Sequence, residues 1–298
     1  MIHSIAQGTK KGYIAMHSPR PNRNPKLTEG GIKAMKTLLG VGLLAALLLL
    51  PGLATAQNVF DGTWKLNLNP AEPPKKPDVF LLQDGMYQCK TCVPPIDVKA
   101  DGQDQKVSGD PYHDTVSIKV VDDHTMEETD KKDGKIVTTT KVTVSPDGNT
   151  ATFEFSDSSA TNAEPVTGKG EATRVVKGPA GAHAISGSWK FGKMEDISAN
   201  ALLITYKVDG DTLTMSNPTG QGYTAKLDGT DAPYKGDPGT TSVSVRKLSK
   251  IAIEETDKRD GKVIGIYRMT VAPDGKTMTI AITDKLRGTT SQFVAEKQ

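Results

Sequence analysis

Residues 127–135 read Glu-Glu-Thr-Asp-Lys-Lys-Asp-Gly-Lys, and residues 254–262 read Glu-Glu-Thr-Asp-Lys-Arg-Asp-Gly-Lys. Around these blocks, residues 101–157 align with residues 228–284 at a constant offset of 127 without a gap, and 24 of the 57 positions are identical. Self-similarity over such a length indicates two copies of one module of about 115–120 residues, an ordinary size for a domain.

The repeat extends upstream at an offset of 125, where Gly62-Thr63-Trp64-Lys65 matches Gly187-Ser188-Trp189-Lys190. We therefore divide the chain into module one at residues 57–177, a linker at 178–183 that is rich in glycine and alanine, and module two at 184–298.

The N-terminal region has the pattern of an export signal. Met35-Lys36 precedes a 13-residue apolar run, 38–50, and small residues lead to a cleavage site between Ala56 and Gln57. A membrane anchor is the alternative, but a span needs about 20 apolar residues. We expect a signal-peptide helix within 35–56, an exported protein of periplasmic or extracellular location, and no stable membrane span in the mature chain. Residues 1–34 are expected to be an unstructured extension, with Met35 as the true start.

Removal of residues 1–56 would change the net charge of the chain. Residues 57–298 carry 30 Lys and Arg against 34 Asp and Glu. Phosphate binding needs a basic face, so this mildly acidic surface argues against a nucleic-acid partner.

Both modules have the pattern of antiparallel strands. Asp-Gly pairs recur along the chain, as at 84–85 and 209–210, and they favour tight turns. Between them apolar residues alternate, as at Met278, Ile280 and Ile282. We predict an all-β protein of two tandem antiparallel meanders, each an eight- or nine-stranded barrel because closure removes the sheet edges. A β-sandwich is the alternative.

The expected register of one hairpin predicts the face of the sheet on which Glu255 and its counterpart Glu128 lie. A three-residue loop ending at Gly261 would pair Ile253 with Tyr267 and leave Glu255 on the apolar face near a rim, with Glu128 there by repetition. Glu254 would point to the opposite face, because neighbouring strand residues alternate.

The opening Phe60-Asp61-Gly62-Thr63-Trp64-Lys65 resembles the first strand of lipocalins and fatty-acid-binding proteins, and Ser186-Gly187-Ser188-Trp189-Lys190 repeats it. In lipocalins the tryptophan packs across the closed barrel end near a basic residue of the last strand. Arg174 would serve in module one, and module two has no arginine in its last strand, 291–297. The chain also resembles a group of exported bacterial proteins of unassigned function that are built from this module.

The resemblance implies that each barrel binds a small apolar or amphiphilic molecule, without catalysis. The glutamates would anchor a polar end, the threonines and glycine would leave room, and the tryptophans would supply bulk. The expected ligand-binding residues are Trp64, Glu128, Thr138, Thr140, Trp189, Glu255, Gly265 and Tyr267. Alternatives are an envelope interaction or structural module without a cavity, and a hydrolase whose site the sequence does not reveal. The sequence predicts no catalytic residue and no cofactor, and it names no protein partner.

Cys89 and Cys92 are expected to form a disulfide that staples a turn. A redox or metal role is the alternative, and Ser216 and Thr219 at the aligned positions argue against it. His113 and His124 lack the spacing of a metal site, so no metal is predicted.

Overall fold

The computed structural model describes residues 58–298 except Pro73 and 160–163. The predicted signal peptide, its cleavage site and the upstream extension lie outside these residues. The described part is all-β, as predicted, with one 3-10 turn at Ala199–Ala201. No helix in it has the length and apolar character needed to cross a membrane.

Twenty strands are present in the described part. In chain order they are β1 Gly62–Glu72, β2 Asp78–Gln83, β3 Met86–Cys89, β4 Ile96–Lys99, β5 Gln105–Lys106, β6 Thr115–Asp122, β7 Thr125–Lys132, β8 Lys135–Val144, β9 Thr150–Asp157, β10 Val166–Lys177, β11 Gly187–Ile197, β12 Leu203–Asp209, β13 Thr212–Ser216, β14 Gly222–Lys226, β15 Asp228–Lys235, β16 Ser242–Lys247, β17 Ala252–Arg259, β18 Lys262–Val271, β19 Thr277–Asp284 and β20 Thr289–Lys297.

The strands form two antiparallel sheets of ten, rather than eight or nine, strands each. The closed barrel runs β1-β12-β13-β14-β15-β16-β17-β18-β19-β20 and returns to β1. The open barrel runs β4-β3-β2-β11-β10-β9-β8-β7-β6-β5. Asp101, just beyond the edge strand β4, forms an isolated bridge with Lys119 of β6, next to the short edge strand β5. Tandem barrel-like meanders are therefore confirmed, one fully closed and the other nearly so.

The expectation that each copy is self-contained is wrong for the opening strands. Strand β1 of the first copy pairs with β12 and β20 of the second. Strand β11 of the second copy pairs with β2 and β10 of the first. Each barrel thus contains one strand from the other copy, an exchange of equivalent elements of the kind seen in domain swapping.

Chain connectivity explains the exchange. Strands β1 and β11 begin with Gly-Thr-Trp-Lys and Gly-Ser-Trp-Lys, so each supplies the same buried tryptophan to the barrel that it joins. Only residues 178–186 separate β10 from β11, so the two can form a hairpin with a short loop. Pairing β10 with β1 would instead close a much longer loop, which costs more entropy.

Exchange also reassigns the basic residues that lie over the tryptophans. The Arg174 guanidinium lies 4.0 Å from the ring centroid of Trp189, whereas we expected it near Trp64. Lys297 Nζ lies 5.0 Å from the Trp64 ring, so a lysine takes this place in the closed barrel. Both tryptophans are buried, and their indole N–H groups donate to the carbonyls of Phe60 and Ile185.

The predicted three-residue loop between β17 and β18 is wrong, because the loop is one residue shorter. Asp260 and Gly261 form a two-residue turn with positive φ at both positions, and Ile253 pairs with Met269. A bulge after Asp257 restores the inward direction of the apolar residues. Glu255 nevertheless points inward, and Glu254 points outward to Arg246 and Arg268, as expected.

Candidate functional site

The open barrel encloses a cavity of about 440 Å³. Aromatic and aliphatic side chains cover much of its wall, including Phe153, Phe155 and Phe191, and Trp189 lines it from the exchanged strand β11. This volume falls within the range of about 300–1,000 Å³ that is usual for small-molecule sites.

The closed barrel contains a space of only about 30 Å³. The difference arises where small residues of the open barrel stand at the positions of large inward residues of the closed barrel. Three such pairs are Ile96 against Tyr223, Thr140 against Tyr267, and Ala151 against Met278. The repeat therefore kept the barrel frame, and its interior side chains decide whether the barrel is filled.

A pair of carboxyls lies on the inner side of the open barrel. Glu128 and Asp130 are two residues apart on β7, so both face inward, and Glu128 borders the cavity. They pair across the sheet with Thr140 and Thr138. Burial raises the pKa of Glu128 to about 7, while its hydrogen bond with Tyr87 lowers it. Burial, and then the charges of Glu128 and other acids nearby, raise the pKa of Asp130 to about 9.

The closed barrel holds the equivalent pair, Glu255 and Asp257, both buried. Here tyrosines surround the carboxyls. Tyr223 Oη donates a hydrogen bond to Glu255 Oε2, and Tyr267 is its cross-strand neighbour. Burial and the charge of Glu255 raise the pKa of Asp257.

The open barrel lacks most of these tyrosines. Ile96 and Thr140 occupy the places of Tyr223 and Tyr267, and Tyr87 is the tyrosine that bonds Glu128. Asp130 Oδ1 is buried and has no hydrogen-bond partner in the described part of the chain, and the same holds for Asp257 Oδ1 in the closed barrel. Because both barrels show it, the unsatisfied oxygen is a feature of the carboxyl pair and not of the cavity.

Loops of the closed barrel form part of the cavity mouth. Tyr112 Oη donates to Asp237 Oδ1 at 2.9 Å, and Arg287 pairs with Asp78. Gly239 packs against the Tyr112 ring, where any Cβ would collide with the hydroxyl. The mouth is thus built from both copies of the repeat.

The predicted ligand-binding residues fall into three groups. Glu128, Thr138, Thr140 and Trp189 line the cavity of the open barrel. Glu255 and Tyr267 border the small space of the closed barrel. Trp64 lines neither space, and the room beside Gly265 is occupied by the Tyr267 ring, 3.0 Å from where a Cβ would stand.

The sequence reasoning missed the second carboxyl of each pair, Asp130 and Asp257, and the tyrosines opposite them. Alternation at period two was the available signal, since a residue two positions beyond an inward glutamate also faces inward. The tyrosines come from distant strands, and only the barrel brings them to the pair.

Cys89 and Cys92 form the predicted disulfide, with their Cα atoms 5.5 Å apart, at one side of the cavity. The strand register matches Cys89 with Met215 rather than with Ser216, because the preceding hairpin shifts the offset by one. Within the described residues no cluster of three or more His, Cys, Asp or Glu side chains could hold a metal ion.

Comparisons with protein-family models, curated proteins and solved structures found no match. The geometry of the cavity therefore provides the basis for assigning a function.

Proposed function

We propose that this chain is a non-enzymatic binding protein whose open barrel holds one small apolar or amphiphilic molecule. The observation that carries the proposal is the cavity of about 440 Å³ inside that barrel. Protein interiors are close-packed and rarely leave such a space, so an apolar cavity of this size is the default binding site of a protein. Ligand binding inside a barrel also agrees with the lipocalin-like opening strands.

The wall suits an amphiphile. The Phe153 and Phe191 rings meet edge to face with their centroids 5.0 Å apart, and together with Phe155 they give the cavity an apolar wall against which the body of a ligand would pack. Glu128 supplies a carboxyl to the cavity wall, and it is hydrogen-bonded to Tyr87, which also lines the cavity. A ligand pocket of this kind obtains affinity from apolar contact and orientation from a few polar groups.

The proposal assigns one ligand to each chain. The 30 Å³ in the closed barrel is room for about one water molecule. That barrel instead supplies structure: it contributes Asp237, Arg259 and Arg287 to the mouth of its neighbour's cavity. The cavity favours binding over the alternative of an envelope module without a ligand site, and location in the envelope or outside the cell remains part of the proposal.

A hydrolase is the less favoured function. Two carboxyls with raised pKa values in a cavity are a common catalytic arrangement. However, Glu255 and Asp257 repeat the pair in a barrel that has no room for a substrate. The pair therefore belongs to the framework of the module, which argues against catalysis as its origin.

Binding can be tested with the uncharged fluorophore N-phenyl-1-naphthylamine and the full chain. We expect saturable fluorescence enhancement. Thr140→Tyr and Ala151→Met give the open barrel the side chain sizes of the closed barrel, and each should weaken binding by about tenfold or more because a filled cavity excludes the probe. Thr139→Tyr adds the same side chain to the exposed face of β8 and should bind normally.

The two tryptophans provide a second readout. Trp189 borders the cavity and Trp64 does not, so energy transfer to the bound fluorophore should be lost mainly in Trp189→Phe and kept mainly in Trp64→Phe. Absence of saturable binding to the wild type, or equal binding by both filled variants, would overturn the proposal.

A further inference from the structure

We infer that the closed barrel acts as a lid over the cavity of the open barrel, and that a ligand enters and leaves only when the two barrels part at one side. The lid turns about the chain connections between the barrels. Contact between two equivalent loops holds it shut, residues 109–113 between β5 and β6 and residues 236–240 between β15 and β16. We call these the mouth loops. The inference rests on the proposed function and adds how access to that site is controlled.

The cavity can be entered from one end. At the other end Trp189 is buried, and the Arg174 guanidinium lies over its ring while donating to carbonyls of the loop before β11. Along the seam between the sheet edges, Val98 of β4 and Val116 and Ile118 of β6 are buried in one apolar cluster. The mouth that faces the closed barrel is therefore the route for a ligand.

The connections between the barrels lie on one side of this mouth. Two are present in the described part of the chain, from β1 to β2 and from β11 to β12. Strands β1 and β11 begin at the tryptophan ends of their barrels and run for 11 residues, about 35 Å, so both end near the other barrel. Arg287 of the closed barrel pairs there with Asp78, the first residue of β2, and Lys76 Nζ donates to the Arg287 carbonyl at 3.2 Å. These contacts keep the connected side together.

The mouth loops lie on the opposite side. Around the closed barrel of ten strands, β15 and β16 are four and five places from β1, and in the open barrel β6 is five places from β11. Each loop carries the same turn, Gly109-Asp110-Pro111 and Gly236-Asp237-Pro238. The aspartate of each turn accepts the backbone N–H two residues on, at 2.8 Å from Tyr112 and at 2.7 Å from Gly239. Two equivalent turns therefore meet where no chain connection joins the barrels.

The contact between the mouth loops centres on one tyrosine. Tyr112 and Gly239 occupy the same position in the two turns. The Tyr112 ring packs on Gly239, which has no Cβ to obstruct it, and its hydroxyl donates to Asp237 Oδ1 at 2.9 Å. A hydrogen bond to a carboxylate is stronger than one between neutral groups. A single bond of this kind favours the shut state by a modest factor, so thermal motion can break it.

The shut mouth is closely packed. Thr219 and Gln221 of the loop between β13 and β14 line the cavity and are buried, and Gln221 Nε2 donates to Asp237 Oδ2 at 3.3 Å. Asp237 thus joins the ceiling of the cavity and the Tyr112 hydroxyl in one network. When the Tyr112 bond breaks, this ceiling moves with the closed barrel and opens a path to the cavity.

The test follows binding and release of N-phenyl-1-naphthylamine by the full chain with stopped-flow fluorescence. In the wild type the observed association rate should level off as the fluorophore concentration rises, because opening of the lid then limits binding. This measurement needs no variant, and a rate that rises linearly over the whole range would overturn the lid. Failure of the fluorophore to bind at all would overturn the proposed function instead.

Tyr112→Phe removes the hydroxyl and keeps the ring. The limiting association rate and the release rate should both rise by about tenfold, because the shut state loses a hydrogen bond to a charged group with and without ligand. The dissociation constant should stay within about twofold of the wild type, since both rates change together. Loss of a contact to the ligand itself would mainly raise the release rate and weaken binding. That result would contradict the lid.

Gly239→Ala tests the same contact from the other mouth loop. The backbone of Gly239 lies outside the left-handed region, so alanine adds only a Cβ, which would collide with the Tyr112 hydroxyl. Both rates should again rise together.

Lys131→Gln is the matched control. Lys131 pairs with Asp104 of the same copy, and its carbonyl accepts from the backbone N–H of Asp114, just beyond the mouth loop. This ion pair does not join the two barrels, so both rates should stay as in the wild type. Unchanged rates in both mouth-loop variants, or an equal change in the control, would refute the lid while leaving the proposed function intact.

Discussion

The Arg174 guanidinium lies 4.0 Å from the ring centroid of Trp189, and the two residues belong to different copies of the repeat. The same guanidinium donates hydrogen bonds to the carbonyls of Gly148, Ala184 and Ser186. One side chain therefore joins the last strand of the first copy, the exchanged strand and the loop between them, at the end of the barrel where Trp189 is buried.

Arg174→Ala should destabilise the protein by about 2–4 kcal/mol, because it removes a cation–π contact and leaves carbonyls without their charged donor. Chemical denaturation followed by tryptophan fluorescence measures this loss. Arg174→Lys should lose less, since Lys297 occupies the same place over Trp64 in the closed barrel. Lys169→Ala, on the same strand in an exposed ion pair with Glu154, should change stability by less than about 0.5 kcal/mol. Equal losses in the alanine variants at 174 and 169 would contradict this role.

The buried carboxyls of the closed barrel should make stability depend on pH. Burial raises the pKa of Asp257 above that of an unfolded aspartate, about 3.9. A raised carboxyl pKa means that the folded state binds the proton more tightly. This contribution to stability is complete below about pH 4 and is lost as the pH rises toward the folded-state pKa. Relative to the wild type, Asp257→Asn should therefore become more stable as the pH rises above about 4, by at most about 1.4 kcal/mol per pH unit.

Glu254 lies on the same strand and serves as a control, because its pKa is shifted in the opposite direction from that of Asp257. Hydrogen bonding to Arg268 lowers its pKa, with a further contribution from Arg246. Its stabilisation is present above about pH 4.3 and is lost as the pH falls through the folded-state pKa. Glu254→Gln should cost about 0.5 kcal/mol at pH 7, and this cost should shrink as the pH falls through the folded-state pKa. Urea titrations across this range, in which both variants followed the wild type in parallel, would refute the assignment.

The strand exchange can be trapped by a new disulfide. Thr63 and Thr205 are directly opposite across β1 and β12, with their hydroxyl oxygens 2.9 Å apart. Thr63→Cys with Thr205→Cys should therefore oxidise to a cross-link between the two copies.

Self-contained barrels would instead place Thr63 opposite Val79, because Ser188 holds that position in the exchanged arrangement. Thr63→Cys with Val79→Cys should remain unlinked. Peptide mapping by mass spectrometry distinguishes the two, and a 63–79 cross-link without a 63–205 cross-link would show that the strands are not exchanged.

The repeat sequence was sufficient to predict the all-β fold and much of the alternation between inner and outer faces. Asp-Gly turns and period-two runs are local signals, so the inward Glu255 and outward Glu254 followed from them even though the loop register did not. The bulge after Asp257 was not predictable, because it is set by the packing of β18 against its neighbours. The cavity was not predictable either, since its walls come from strands far apart in the chain.

The sequence by itself determined that one β module occurs twice and that Trp64 and Trp189 occupy equivalent places. Only the tertiary structure decided which barrel receives which opening strand and which barrel remains hollow. Strands β1 and β11 share their opening, Gly-Thr-Trp-Lys against Gly-Ser-Trp-Lys, which does not decide their partners, so the short 178–186 connection selects the pairing through its smaller entropy of closure. Interior volume depends on the sum of side chains from many strands at once, and Ile96, Thr140 and Ala151 leave a space only after the barrel has brought them together.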